Sequence, residues 1–349
     1  MAKGAKGKQA TVEQGPDSDP NALFTSYNNE CKSIGITQYQ PLKDNLLNEE
    51  NPNRGTQIIV LPNTKGGEAL GSGGCRCLVN SMISIPFTAT KELRICSSNL
   101  GDAGASSIAS LLIATATIRP LDPTIDSTTA TQPVWQLEYI ELTDNDISHV
   151  GAKALGRSLC VGMNTTLNTL ILDFNRTMGS QGVDALCKGL STNSTLKKLS
   201  MKHCGIDEQG GQSLAQILSF KKTALISLDV SCNAIGGTGL SDLCTGLLEN
   251  TSLKTLRLAD NGINQSDDDV KGLEKLSTVL VQHPSLIAVD INHNNIGDRG
   301  AKVLLPSLVD SKQITEFKVD TRMNDELFKQ IFRASAAVKK KKGGKKKKK

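Results

Sequence analysis

Four side chains of the kinds that bind metal ions recur at nearly even spacing in the second half of the chain. They are His203, Cys232, Asp260 and His293, separated by 29, 28 and 33 residues. On neighbouring units of a repeating structure they would form a row with about 4.8 Å between members. A straight row is poor tetrahedral geometry for zinc, and polar residues suit turns in any case. We therefore predict turn residues here and no metal site.

Other residues that could perform chemistry are sparse. Cys75 and Cys77 form a lone pair without a second pair of ligands. The glycine-rich stretch 66–74 lacks the Gly-Lys-Ser/Thr ending of a phosphate-binding loop. The odd number of cysteines, nine, argues against a complete disulfide framework. We predict no cofactor and no catalytic residues, and we expect that the chain is not an enzyme.

A repeated unit underlies the even spacing. Each copy has apolar residues at positions 1, 4, 6 and 11 and usually asparagine at position 9. The copies begin at Leu137, Leu167, Leu196, Leu225, Leu253, Leu286 and Ile314. A nearly fixed period of about 29 residues is typical of a solenoid, in which each copy packs on its neighbours. Alternation at positions 4 and 6, followed by helical spacing, predicts a strand, a turn and a helix in each copy.

The asparagine at position 9 predicts a ladder of side-chain hydrogen bonds. Its amide can bond backbone groups that an irregular turn leaves unpaired. Cys204 occupies this position in one copy and is a weaker hydrogen-bonding group. The expected ladder consists of Asn145, Asn175, Asn233, Asn261 and Asn294.

The frame L-x-x-L-x-L-x-x-N-x-(I/L) resembles the leucine-rich repeat family, and the period and full helix resemble its ribonuclease-inhibitor type. The resemblance covers roughly residues 90–325. It implies an α/β fold, a leucine-rich repeat solenoid shaped as an arc or horseshoe, with a concave parallel β-sheet and convex helices. Upstream, Tyr27, Cys31, Gly35 and Pro41 resemble the N-terminal cap of ciliary and flagellar members of this family.

The sequence divides into five segments. They are a basic tail at 1–20 expected to be disordered, an N-terminal cap at 21–56, the solenoid at 57–325, a C-terminal cap helix at 326–338 and a disordered poly-Lys tail at 339–349. An insertion at about 114–136 breaks the repeat and contains three prolines. It ends near Trp135, which either anchors a partner or covers the core of the next repeat.

Charge is segregated along the chain. The net charge is +5, but the lysines of the two tails leave residues 11–338 with a net charge of −7. The predicted anion-binding tail consists of Lys339, Lys340, Lys341, Lys342, Lys345, Lys346, Lys347, Lys348 and Lys349. Such a run binds anions in a salt-dependent way. Candidates are acidic filaments such as microtubules, nucleic acid and anionic lipid; alternatively the run is a nuclear import signal or only increases solubility.

Positions 5 and 7 of each copy point away from the core and form the predicted protein-binding concave face. Charges of both signs there suit a protein better than nucleic acid. Ile171 and Phe174 are apolar at nominally exposed positions, so they anchor a partner, or Phe174 folds back over the next turn. The predicted binding residues are Glu141, Thr143, Ile171, Asp173, Phe174, Lys202, Asp229, Arg257, Asp290 and Lys318.

These patterns predict a non-enzymatic scaffold for protein–protein interactions. The cap and the lysine tails favour a structural component of ciliary or flagellar axonemes, or of microtubule-associated assemblies in the cytoplasm. Its expected partners are proteins on the concave face and tubulin or axonemal proteins at the tails, with no membrane insertion and no specific nucleic acid. The alternatives are a cytosolic or nuclear regulator resembling Ran GTPase-activating proteins, and a soluble inhibitor or adaptor of the ribonuclease-inhibitor type.

Overall fold

The computed structural model describes residues 19–50, 57–61, 68–85, 87–114 and 137–334. Within these ranges, nine parallel strands form one sheet in their order along the chain. The strands are β1 Ile58–Leu61, β2 Glu92–Ile95, β3 Tyr139–Glu141, β4 Thr169–Ile171, β5 Lys198–Ser200, β6 Ser227–Asp229, β7 Thr255–Arg257, β8 Ala288–Asp290 and β9 Glu316–Lys318. The first two strands place one further unit before the clear repeats.

Helices alternate with the strands from β1 onward. The helices are α1 Pro20–Ser33, α2 Gln40–Leu47, α3 Gly71–Ser84, α4 Gly101–Ala114, α5 His149–Ser158, α6 Gly179–Leu190, α7 Glu208–Ser219, α8 Gly236–Glu249, α9 Asp267–Gln282 and α10 Gly297–Asp310; residues 325–334 are also helical. Because parallel strands need a crossover connection, each helix returns the chain to start the next strand. This arrangement confirms the predicted α/β leucine-rich repeat solenoid.

The core is one continuous apolar layer between the sheet and the helices. Position 4 of successive copies stacks in register, as Leu170 on Leu199 and Leu199 on Leu228. These side chains and the apolar residues on the inner sides of the helices are buried throughout the array. Burial is therefore local, with each copy covering the next, which is the energetic basis of a solenoid.

The predicted asparagine ladder is present. The Nδ2 group of Asn175 donates to the carbonyl oxygens of Leu142 (3.0 Å) and Leu172 (2.8 Å). Its Oδ1 atom accepts from the backbone N–H groups of Asn145 and Ile147 at 3.0 and 3.1 Å. Each ladder side chain therefore connects its own turn to the turn of the preceding copy.

Cys204 takes part in the ladder in place of asparagine. Its Sγ atom donates to the carbonyl oxygens of Leu172 at 3.1 Å and Lys202 at 3.4 Å. Burial raises the pKa of the Cys204 thiol to about 12, so the thiol stays protonated and keeps its donor. The cysteine therefore preserves the donor side of the ladder.

A second row of polar side chains lies where each helix leads into the next strand. Asn193 and Asn250 each accept two backbone N–H groups through Oδ1 and donate through Nδ2 to a carbonyl of the preceding copy. His283 takes this place in one copy, and its Nδ1 atom accepts from the N–H groups of Ser285 (3.3 Å) and Leu286 (3.0 Å). The sequence motifs Asn-x-Ser/Thr at Asn193 and Asn250 therefore serve the fold.

His283 should make the stability of the array depend on pH. The ring is 3% exposed, its Nε2 atom has no hydrogen-bond partner, and burial lowers its pKa. Since the unfolded chain has the ordinary histidine pKa of about 6.5, it binds a proton first as the pH falls. We expect the stabilisation that neutral His283 provides to be complete above about pH 6.5 and to decline below it.

The measurement is the urea midpoint of unfolding at pH 7.5, 6.5 and 5.5 for the wild type and for His283→Asn. Asparagine occupies this position in other copies, as Asn193 and Asn250 do, and does not titrate, so the variant should lose less stability on acidification. The matched control is His293→Asn at an exposed histidine. Equal loss of stability in wild type and His283→Asn would contradict the prediction.

The residues of the predicted N-terminal cap pack against the first units. Tyr27 and Cys31 are buried in α1, and the Tyr27 hydroxyl accepts from the backbone N–H of Tyr39 at 3.1 Å. Helix α1 contacts α3, and α2 contacts β1. The predicted tails at 1–20 and 339–349 fall almost wholly outside the described residues. The insertion, including Trp135, also lies outside them, and the segment boundaries remain predictions.

Candidate protein-binding face

Position 5 of the repeat forms a straight row across the strands. Strand pairing sets the members directly side by side. In order, they are Arg94, Glu141, Ile171, Ser200, Asp229, Arg257, Asp290 and Lys318. All are partly or fully exposed on the side of the sheet opposite the helices, which we call the concave face. The predicted outward direction of position 5 is therefore present in the structure.

Basic residues on this face contact acidic residues of the preceding strand or turn. The closest contacts are Lys202 Nζ to Asp173 Oδ2 at 3.0 Å and Lys318 Nζ to Asp290 Oδ2 at 3.5 Å. Arg257 Nη1 lies 3.9 Å from Asp229 Oδ2. Because the basic member of each pair is well exposed to solvent, each pair contributes little stability, about 0–1 kcal/mol. Their main effect is to hold the charged side chains in fixed positions on the face.

Asp173 is more enclosed than its neighbours. It is 6% exposed, and its Oδ1 atom accepts from the Ser200 hydroxyl at 2.6 Å and from the Lys202 backbone N–H at 2.9 Å. Burial acts to lower the pKa of Lys202, but the hydrogen bond and charge of Asp173 outweigh it, so the pKa is raised. Asp173 therefore positions a charged Lys202 at the surface.

Two further groups extend the face at its ends. The Arg94 guanidinium contacts Glu92 at 2.7 Å and lies 4.6 Å from the centre of the Tyr139 ring. The Thr143 hydroxyl donates to Glu141 at 3.3 Å. At the other end, a cleft of about 80 Å³ is lined by charged residues that include Arg257 and Lys318. The concave face thus carries charges of both signs from Arg94 on β2 to Lys318 on β9.

Position 8 has a backbone conformation that sequence analysis missed. Its residues have positive φ in successive copies: Ser97 (47°), Asp144 (56°), Phe174 (62°), His203 (52°), Cys232 (60°), Asp260 (53°) and His293 (59°). Asp and His are enriched in this left-handed region among non-glycine residues. The recurrence of potential metal ligands therefore has a backbone cause, and among the residues described no three such side chains form a group able to hold a metal.

Phe174 stands out in this row. Its ring is 41% exposed and stacks on the His203 ring, with centroids 4.6 Å apart and planes inclined by 25°. A bulky residue at positive φ is a genuine outlier, and such conformations persist where the surroundings enforce them. The stack with His203 places an apolar surface beside the pair formed by Asp173 and Lys202.

The cysteines do not form a reactive site on this face. All nine are free thiols. Burial raises the pKa values of Cys75 and Cys244 to about 12 and that of Cys96 to about 11. Since the thiolate is the nucleophile and the metal ligand, these groups behave as small apolar residues.

Comparison with known proteins agrees with this architecture. The family model described as "Leucine Rich repeat" matches residues 137–156, 164–187, 192–215, 221–244, 249–266 and 282–305. These six matched segments of the chain are leucine-rich repeats. Its repeats are of the ribonuclease-inhibitor type, and an array of this class presents an extended binding surface as a scaffold for protein interactions.

Two similar proteins are ribonuclease inhibitors. The one from Sus scrofa is 29% identical over 220 residues, covering 62% of this chain and 42% of that protein. The one from Mus musculus is 26% identical over 252 residues, covering 69% of this chain and 53% of that protein. The chain thus spans about half the length of these relatives.

A solved structure of leiomodin-1 actin-binding site 2 is also similar. It shares 12% identity and has a TM-score of 0.38, covering 56% of this chain and 92% of that one. Among the helices described in the present structure, none is long and apolar enough to cross a membrane.

Proposed function

We propose that the protein is a non-enzymatic scaffold whose concave face binds a protein partner. The row of paired charges at positions 5 and 7, together with the exposed Phe174 stack, carries this proposal. Protein interfaces combine apolar anchors with a polar rim, and the face supplies both. A nucleic-acid surface would instead need an uninterrupted basic stripe.

The anchor in this scheme is Phe174 with Ile171 beside it. Aromatic side chains dominate the binding energy of many interfaces, especially when charged residues surround them and exclude water. Asp229 and Arg257 lie on the strands that follow, and Lys202 lies in the turn just after β5. We assign them to partner selection and association rate, which is the usual role of fixed charges of both signs.

The proposal extends to ciliary or flagellar axonemes and microtubule-associated assemblies as the site of action. It is supported by the sequence of the cap and by nine lysines within residues 339–349, which suit the acidic surface of tubulin. In this scheme the lysines hold the protein on the filament, while the concave face binds a neighbouring axonemal protein.

Co-sedimentation with microtubules tests the extended proposal. We expect the full-length chain to sediment with microtubules and a variant with all nine tail lysines changed to glutamine to bind at least tenfold more weakly. Binding of the wild type should fall steeply with added salt, because lysine contacts release counterions.

The matched control replaces the exposed lysines Lys197, Lys198, Lys221 and Lys222 by glutamine. If this control weakens sedimentation as much as the tail variant, the tail has no special role. If the tagged chain is diffuse in its own cell and no axonemal signal survives detergent extraction, the axonemal proposal is wrong, while the scaffold proposal stands.

The similarity to ribonuclease inhibitors favours a second candidate, a soluble inhibitor of that type. The test is titration of a pancreatic-type ribonuclease with the full-length chain. Stoichiometric inhibition would support this candidate and replace the axonemal proposal, whereas unchanged activity at micromolar concentrations would eliminate it.

A further inference from the structure

A second candidate binding surface lies on the convex side, in a groove between α5 and α6. Its volume is about 430 Å³, which is in the range of ligand-binding clefts. Gly189 of α6 lines the groove at a point where the two helices lie very close together. A Cβ atom on Gly189 would overlap the carbonyl oxygen of Gly156, so only glycine permits this approach.

The wall that α5 contributes is basic. His149, Lys153 and Arg157 all line the groove and are four residues apart. Four residues of helix rise about 6 Å, so these side chains form a stripe about 12 Å long on one side of α5. Such a stripe can contact several groups of an extended ligand at once.

The acidic counterpart in the groove is already paired. Asp184 of α6 lies 2.6 Å from Lys188, which is one turn further along the same helix. Among the residues that the structure describes, no carboxylate lies within ion-pair distance of Lys153 or Arg157. The groove therefore has excess positive charge although the folded region as a whole is acidic.

Two bases elsewhere on the convex side are paired with carboxylates. On α9, Lys271 contacts Asp268 at 2.9 Å, and Arg299 of α10 contacts Asp267 at 2.7 Å. Among the described residues, Lys153 and Arg157 differ from these two bases in having no such carboxylate partner.

An apolar patch adjoins one end of the groove. Val161 directly follows the groove residue Cys160 and is 73% exposed, and Met163 is also exposed. The backbone N–H of Val161 donates to the Thr192 hydroxyl at 3.1 Å, which ties this loop to the end of α6. An apolar patch beside a groove that attracts anions indicates a ligand with both acidic and apolar groups.

We propose that this groove binds an acidic segment of a partner protein. Carboxylates spaced about 6 Å apart, as at every fourth residue of a helix, contact Lys153 and Arg157. An apolar residue at the end of the segment packs on Val161 and Met163. The surface is separate from the concave face, so the protein can join two partners at once.

The probe is a fluorescent helical peptide with glutamates at every fourth residue and a leucine at one end, titrated with the full-length chain at fixed ionic strength. We expect Lys153→Glu with Arg157→Glu to weaken binding at least tenfold. The matched control, Lys271→Glu with Lys275→Glu on the convex helix α9, should change binding less than twofold. Equal effects of the two double variants would overturn the proposal.

A photoreactive version of the peptide locates the contact. We expect cross-links within 149–163 and 181–192. Cross-links confined to 339–349 would show that the lysine tail binds the peptide and would overturn the proposal. Displacement of the peptide by inorganic phosphate, added at the same total negative charge, would show that the groove binds a small anion. That result would also overturn the proposal. If the wild type forms dimers and the Lys153→Glu and Arg157→Glu double variant is monomeric, the groove binds a second copy of this chain. That result would likewise overturn the proposal.

Discussion

Replacing Asn175 by alanine is expected to destabilise the array by about 4 kcal/mol. The side chain is fully buried and joins two turns through its amide. Its loss leaves the N–H groups of Asn145 and Ile147 without their acceptor in the interior, and each unmet buried group costs about 1–3 kcal/mol. Carbonyl groups that lose the amide donor add to this cost.

Equilibrium unfolding in urea measures this effect. The matched control is Asn168→Ala in the same repeat, where the amide contacts Glu138 at the surface, and we expect a change below about 1 kcal/mol. Hydrogen exchange at Asn145 and Ile147 should accelerate selectively in Asn175→Ala. A loss of stability no larger than that of Asn168→Ala would mean that the ladder does not hold the turns together.

Phe174→Asn is expected to weaken partner binding at least tenfold while leaving stability within about 1 kcal/mol of the wild type. Asparagine tolerates positive φ, so the change relieves a backbone conformation that costs other residues about 1–2 kcal/mol. It also removes the stack on His203, and aromatic pairs contribute about 0.5–1.5 kcal/mol. The two effects nearly cancel, so lost binding cannot be attributed to unfolding.

The control for Phe174→Asn is Asp260→Asn at the equivalent position two strands beyond that of His203. Asp260 also has positive φ and an exposed side chain, but it lacks an aromatic ring. We expect partner binding to change less than twofold. Thermal unfolding verifies the stability of both variants, and quantitative recovery of the bound partner from cells verifies the binding. Unchanged binding in Phe174→Asn would remove Phe174 from the proposed interface.

The sequence predicted the fold well because the repeat constrains it at many points. Apolar residues at positions 4 and 6 can be buried together only if the strands align in register, as Leu170, Leu199 and Leu228 do. The asparagine ladder was also predictable, since a recurring amide after a short strand has few other structural roles. Cys204 was recognised as a weaker substitute, and the structure shows which carbonyls it contacts.

The details of the candidate sites were less predictable. The sequence left two conformations open for Phe174, because its backbone angles depend on how the turn closes on the next copy. The positive φ at position 8 explains why residue types that also bind metals, such as His203 and Asp260, recur there. The enclosure of Asp173 depends on the Ser200 hydroxyl of the neighbouring strand, which no local pattern reveals.

The convex groove needed the three-dimensional structure for a different reason. The four-residue spacing of His149, Lys153 and Arg157 was a readable signal of a stripe along one side of a helix. Its significance depends on the distance between α5 and α6, which the contact of Gly156 with Gly189 sets. It also depends on which carboxylates lie nearby, and this is a property of packing.

Site-specific photo-cross-linking in the native cell tests the central claim most directly. A photoreactive amino acid is placed at Ile171 or Ser200 on the concave face, and at Glu274 or Lys302 on the convex helices. We predict cross-links to a discrete set of proteins from the concave positions, which the Phe174→Asn change reduces, and only background from the convex ones. Cross-links from the convex positions alone, or equal background everywhere, would contradict the assignment of the concave face as the protein-binding surface.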